Sequence, residues 1–337
     1  MFAAVVLILF LVAAVHELGH LLVGRFARLQ FYLLVIGPLR FSRENGRFQV
    51  NIQRGLGFFN GMAASIPKDT INLRRRMLLF ALGGPCASLL LTGTSLLIAN
   101  IFWENGRFSS TNAWIWEIAL FTAITSFLFF LTSMKPGAYQ NGFMADGGRI
   151  ASLLKADANA DSWCALVAIN AAELQGVRPC AWDAAQVTLA VQLQGHSYDS
   201  LMAQLVGYQW EMDHGHFDAA DVYLDAALKN RSVWMSNLYV RILLEKAYLL
   251  AWAQHNPESA RSWLAQVKRN GRNNSVLFYR AEAAVQLAEG NLPKAIEAVK
   301  KGLDALKMLN STTGMTILEA EWLQEILEIA QKDEVSN

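Results

Sequence analysis

The feature that most constrains this chain is an apolar run from Met1 to Gly24, broken only by His16-Glu17-Leu18-Gly19-His20. As a helix the run extends about 36 Å, enough to cross a hydrocarbon layer of about 30 Å. No basic residue precedes it, which reads as a span rather than a secretory leader. Two further runs follow, Met77 to Phe102 and Ala113 to Met134, flanked by Arg74-Arg75-Arg76 and Lys135. Inside a bilayer each run must satisfy its own backbone hydrogen bonds, so three membrane-crossing helices are expected. Charged residues are 17% of the chain, against about 25% in soluble domains, and the deficit falls in the first 135 residues. The remainder reads as a soluble chain.

Loop charge predicts the orientation. Ten basic residues lie between Arg25 and Arg76, whereas the loop joining the second and third spans carries only Arg107. The positive-inside bias therefore puts residues 25–76 in the cytoplasm, the N-terminus outside and the C-terminal half inside, as a multi-pass protein of the cell membrane. The net charge of +1 provides no global field for nucleic acid; the bilayer is the expected partner. Cys86, Cys164 and Cys180 share no CxxC spacing, which argues against a cysteine metal knuckle or a disulfide framework.

Between the first two spans the periodicity changes. Leu39, Phe41 and Arg43 alternate with Arg40 and Ser42, Asn45-Gly46 follows, and then Phe48, Val50 and Ile52 alternate with Gln49, Asn51 and Gln53. An Asn-Gly pair between alternating runs predicts a β-hairpin, at about 31–57. The apolar flanks Phe31 to Ile36 and Phe58-Phe59 place it against the membrane rather than free in solvent. Beyond Asp146 the pattern is helical. Gly215, Ala220 and Ala227 recur as His255, Ala260 and Val267, and again as Gly290, Ala295 and Gly302. This spacing resembles the second half of tetratricopeptide repeats, with an irregular helical bundle as the alternative.

His16 and His20 stand at i and i+4, so on a helix both imidazoles leave one face and can hold one ion. Glu17 lies beside the first, where its carboxylate can take a proton from a metal-activated water. Zinc suits such a set, one ion per chain. Three ionisable residues in one span cost about 2.5–3.5 kcal/mol each on insertion scales and call for a function; a polar helix–helix contact is the bland alternative. Gly19 leaves room for another segment to approach. A catalytic zinc site needs a third protein ligand. His196, His214, His216 and His255 lie in the soluble half and read as surface or packing residues. Asp146, in Asp146-Gly147-Gly148 just past the third span, is the better candidate, although an Asp before two glycines also suits a turn or a helix cap.

Over residues 1–155 these motifs resemble the site-2 protease family of intramembrane zinc metalloproteases. His16-Glu17-Leu18-Gly19-His20 is similar to the family's HExGH and Asp146-Gly147 to its DG motif. The resemblance implies His16, His20 and Asp146 as zinc ligands and Glu17 as the catalytic base. Gly84-Pro85-Cys86-Ala87-Ser88 resembles the family's GxxxN/S/G segment, which makes Gly84 and Ser88 candidate substrate contacts. The family's hairpin presents substrate as an added strand, which nominates Val50 and Ile52. Its usual NxxP is replaced by Ser133-Met134-Lys135-Pro136, so the substrate-binding Asn is absent or displaced to Asn141.

The expected fold is mainly α. Residues 1–155 form a membrane-embedded core, with spans at about 1–24, 77–102 and 113–134 and a membrane-associated β-hairpin. Residues 156–199 form a helical connector, and residues 200–337 a cytosolic tetratricopeptide-like domain. The expected activity is hydrolysis of membrane-protein substrates near the cytoplasmic face, with a cytosolic protein partner as a possible ligand of the repeats. The alternative is a non-proteolytic membrane anchor whose repeats recruit cytosolic partners.

Overall fold

The first helix, α1 (Phe2–Phe26), carries Leu7, Leu11, Leu18 and Leu22 exposed along one face and buries Ile8, Val12, His16 and His20 on the other. That arrangement is reversed from a soluble protein, where the leucines would turn inward. In this computed structural model α2 (Leu73–Ile101) and α3 (Ala113–Ser133) repeat it: Leu90, Leu97, Ile124 and Leu128 are exposed, while Ser88, Ser95, Thr122 and Ser126 are buried. Ser126 Oγ donates to the Ser88 carbonyl at 2.8 Å, one of the polar contacts between these helices. Apolar outside and hydroxyl-lined within is the pattern expected when the solvent is lipid. All three helices are long and apolar enough to cross a membrane. The structure describes residues 2–44, 46–52, 61–103, 113–139, 142–195, 197–229, 236–269, 275–309 and 312–336. Asn45, Phe58-Phe59, Asn141 and His196 lie outside them.

Between α1 and α2 the chain builds a four-stranded antiparallel sheet in the order β3-β2-β1-β4. Its strands are β1 (Leu29–Ile36), β2 (Leu39–Glu44), β3 (Arg47–Ile52) and β4 (Gly61–Pro67). The β2–β3 hairpin pairs Leu39 with Ile52, Phe41 with Val50 and Glu44 with Arg47, and Gly46 in its turn has φ +75°. The hairpin expected at about 31–57 is thus the outer half of a larger sheet. β1, expected only as an apolar flank, pairs with both β2 and β4.

The chain divides into two compact units, residues 1–139 with 144–164, and residues 140–143 with 165–337. In the first, α4 (Asp146–Lys155) and the start of α5 (Ala158–Leu174) follow α3. In the second, α6 (Ala184–Ala190) precedes three helix pairs and a last helix. The pairs are α7 (Tyr198–Asp213) with α8 (Phe217–Lys229), α9 (Ser236–Trp252) with α10 (Pro257–Arg269), and α11 (Val276–Ala288) with α12 (Leu292–Met308); α13 (Gly314–Ser336) closes the unit. Each pair turns at a residue of positive φ: Gly215 (75°), His255 (48°) and Gly290 (77°). Ala220, Ala260 and Ala295, five residues further on, are all fully buried. The positions that recur in the sequence therefore occupy equivalent places.

Candidate metal centre

The centre begins with a close helix crossing. A Cβ at Gly19 would stand 2.5 Å from both the Ala87 Cβ and the Gly83 carbonyl, so α1 and α2 meet backbone to backbone. The crossing lies one residue from His20 and from Gly84. His16, Glu17 and His20 are all buried on this inner face.

Each histidine ring is oriented through its far nitrogen. His20 Nδ1 lies 2.8 Å from the Phe80 carbonyl. A carbonyl only accepts, so the tautomer with its proton on Nδ1 satisfies it and turns the Nε2 lone pair toward the centre, as a metal ligand requires; the Gly84 N–H lies 3.3 Å from the same Nδ1. His16 Nδ1 shares a 2.9 Å hydrogen bond with Ser88 Oγ, and the Phe129 ring packs edge-on at 4.9 Å. Gly84 makes room for both rings: a Cβ there would stand 2.2 Å from His20 Nε2 and 2.6 Å from His16 Nε2. Gly84 and Ser88, expected as substrate contacts, have the two imidazoles as neighbours.

Asp146 reaches the same point from the first turn of α4. The backbone bridge Ala138–Met144 and the Ala145 N–H to Gly137 O bond (3.0 Å) fold the chain back after α3. Gly147 and Gly148 permit this approach, since Cβ atoms there would stand 2.1 Å from Met134 O and 2.6 Å from Gly137 N. The two glycines after Asp146 therefore have a packing cause.

The distances among the three donor atoms are His16 Nε2 to Asp146 Oδ2, 3.1 Å; His20 Nε2 to Asp146 Oδ2, 3.5 Å; and His16 Nε2 to His20 Nε2, 3.2 Å. Ligands bound at about 2.0–2.1 Å in a tetrahedral zinc site stand about 3.3 Å apart. The donor set, two imidazoles and a carboxylate, therefore fits zinc in chemistry and in size. Tyr139, just past α3, has its phenol pushed up to about 12 by burial and by the charges of Asp146 and Glu17.

Glu17 meets the sheet. A Cβ at Gly61 would stand 2.3 Å from Glu17 Oε1, and the Ala63 N–H is directed at the same carboxylate. β4, which sequence reasoning missed, is thus the strand beside Glu17. Its Gly-Met-Ala-Ala-Ser-Ile-Pro has no alternation to announce it. The Phe80 carbonyl was equally invisible, because a backbone acceptor has no sequence signature. Val50 and Ile52 lie on β3, exposed at the opposite edge of the sheet. Asn141 lies outside the described residues. Of the second unit's described histidines, His214 bonds the Trp210 carbonyl, His216 pairs with Glu211 and His255 occupies a turn; none of these three joins the group.

Compared with protein-family models, the chain matches the one described as Peptidase family M50 over residues 3–335. No curated protein and no solved structure matches it.

Proposed function

The chain belongs to peptidase family M50, the family of site-2 protease-like intramembrane metalloproteases, and we propose that it is a zinc endopeptidase that cuts membrane proteins near the cytoplasmic face. His16, His20 and Asp146 hold one zinc ion, and Glu17 is the base. The observation that carries this reading is the convergence of three donor atoms at tetrahedral spacing, with the buried Glu17 one residue along α1 from the first of them.

Zinc held there supplies Lewis-acid chemistry, polarising the scissile carbonyl and making water acidic enough to attack near neutral pH. The protein does the rest. Glu17 takes the proton of the attacking water and delivers it to the leaving amine, a transfer that only an ionisable side chain can perform. Ser88 and the Phe80 carbonyl hold the imidazoles in register, and Gly84 gives them room. In this reading Gly84 and Ser88 act through the histidines rather than on substrate.

A substrate helix satisfies its backbone internally and must unwind before a bond is accessible. A sheet edge offers replacement hydrogen bonds. Successive strand residues turn their backbone groups to opposite edges, so with the Ala63 N–H directed at Glu17, Gly61 and Ser65 also present theirs away from β1. We assign the substrate strand to this β4 edge. β3, with Val50 and Ile52, lies three strands away, about 14 Å at ordinary strand spacing. The basic residues between the first two spans support a cytoplasmic sheet. The recurring turn and alanine positions of α7–α12 support a tetratricopeptide-like unit that receives a substrate tail or another cytosolic protein.

The test separates metal from chemistry. Glu17→Gln should retain about one zinc per chain while cleavage of a susceptible membrane substrate falls about a thousandfold, within the range for losing a general base. Undiminished cleavage by Glu17→Gln would end the mechanism.

A further inference from the structure

Where α1 ends and α2 begins, the first unit carries a groove of about 300 Å³. We propose that it binds the headgroup of an anionic phospholipid. Its apolar rim is Phe26, Ile71 and Leu79, which are 80%, 71% and 40% exposed. These residues stand where two spans leave the bilayer on the same face, so the rim meets the upper ends of lipid chains.

The polar wall is divided into used and unused charge. Arg76 is only 11% exposed and spends its donors on the protein: on the carbonyls of Ala27 (2.9 Å), Arg28 (2.7 Å) and Asp69 (3.0 Å), and on Asp69 Oδ1 (2.8 Å). This network ties the end of α1 to the start of α2 and neutralises Asp69. Arg28 and Arg75, also lining the groove, have no ion-pair partner among the described residues. Two free guanidiniums remain above an apolar rim.

The backbone shapes the concavity. Arg28 and Asn72, on its two sides, both adopt left-handed conformations, φ +60° and +51°. Such residues cost free energy and persist where surrounding contacts hold them; here the Arg76 bonds to Arg28 O and the Asp69 segment do so. A lipid phosphate matches the guanidinium fork, and basic pockets between spans at the cytoplasmic surface suit anionic headgroups. A zwitterionic headgroup would bring its own cation against Arg28 and Arg75.

The experiment is native mass spectrometry of the full chain with phosphatidylglycerol or with phosphatidylcholine of the same acyl composition. One phosphatidylglycerol should remain bound under conditions that strip phosphatidylcholine. Arg28→Asn with Arg75→Gln removes both charges, and Asn tolerates the left-handed position. This pair should lower phosphatidylglycerol affinity about thirtyfold, at about five- to sixfold per charge, and leave phosphatidylcholine unchanged. Arg75→Gln alone, at an exposed residue without a partner, provides the fivefold step should the double variant not fold. Lysine at both positions should restore most of the retention. Equal retention of the two lipids, or unchanged phosphatidylglycerol binding in the single and double variants, overturns the proposal. Displacement of the lipid by millimolar inorganic phosphate also overturns it, by revealing a free-anion site. The assay reads neither zinc nor cleavage, so it stands apart from the proposed activity.

Discussion

In the membrane unit, His16, His20 and Asp146 turn three electron-rich atoms toward one point, with no Lys or Arg paired to them among the described residues. In the helical unit, Arg280 is fully buried, pairs with Glu319 at 2.8 Å and with Glu245, and lies over the rings of Tyr248 (4.1 Å) and Trp322 (4.6 Å). Tyr208 donates to the same Glu245 at 2.9 Å. Both clusters pay for desolvation, but only the second contains its own counter-charge. A buried pair with partners and stacking specifies packing. A set of bare donors facing each other lacks a cation, and that is the physical difference between a metal centre and a structural ion pair.

Two glycines put this contrast to its hardest test. Gly84→Ala drives a methyl into both Nε2 atoms and should cost about a hundredfold in zinc affinity, with cleavage lost alongside it. In Gly302→Ala the new Cβ meets mainly Leu323 methyls at 3.0–3.1 Å, which can turn aside; the expected cost is about 1–2 kcal/mol in α12 and no change in zinc. Metal titration and thermal unfolding of both variants read the difference. Equal zinc affinity in the two would remove the claim that Gly84 shapes the centre.

Breaking the helical cluster should have the complementary effect. Arg280→Ala leaves Glu245 and Glu319 buried without their partner, at a cost of about 3–5 kcal/mol. Hydrogen exchange in the full chain should show α9, α11 and α13 losing protection while zinc stays bound. Loss of zinc in this variant would mean that the two clusters are not independent.

The smallest expected effect is a pH dependence. Burial pushes the Glu319 carboxyl up to about 7, against Arg280, which favours the charged form. A folded-state value above the unfolded one means that stability is complete below about 4.5 and declines as pH rises through about 7. Opening free energies of α11 and α13, corrected for intrinsic exchange, should fall between pH 5 and pH 8 by at most about 3 kcal/mol. Glu319→Gln should flatten that slope; a slope unchanged by the substitution would assign it to other groups.

The sequence was most legible where a pattern is imposed by one physical demand. The three spans follow from hydrocarbon thickness, the histidine spacing from helix periodicity, and the β2–β3 register from alternation around Asn45-Gly46. Asp146-Gly147-Gly148 was legible as a motif but not as geometry: the collisions that make Gly147 and Gly148 necessary involve Met134 and Gly137, a turn that no periodicity marks. β4 was illegible because small residues beside Glu17 show no alternation, and β1 because an apolar strand paired on both edges reads like a membrane flank. The Arg280 cluster was hidden for a different reason. Glu245, Arg280 and Glu319 are 35 and 39 residues apart, and an isolated charge in a helical pattern reads as surface.

Zinc-edge X-ray absorption of the purified chain reads the donor set of His16, His20 and Asp146 itself. One ion per chain is predicted, with two imidazole nitrogens and a carboxylate oxygen at about 2.0–2.1 Å. The same first shell should persist in Glu17→Gln, and occupancy should fall in Asp146→Ala. An absent ion, or a spectrum and occupancy unchanged by Asp146→Ala, would contradict the account.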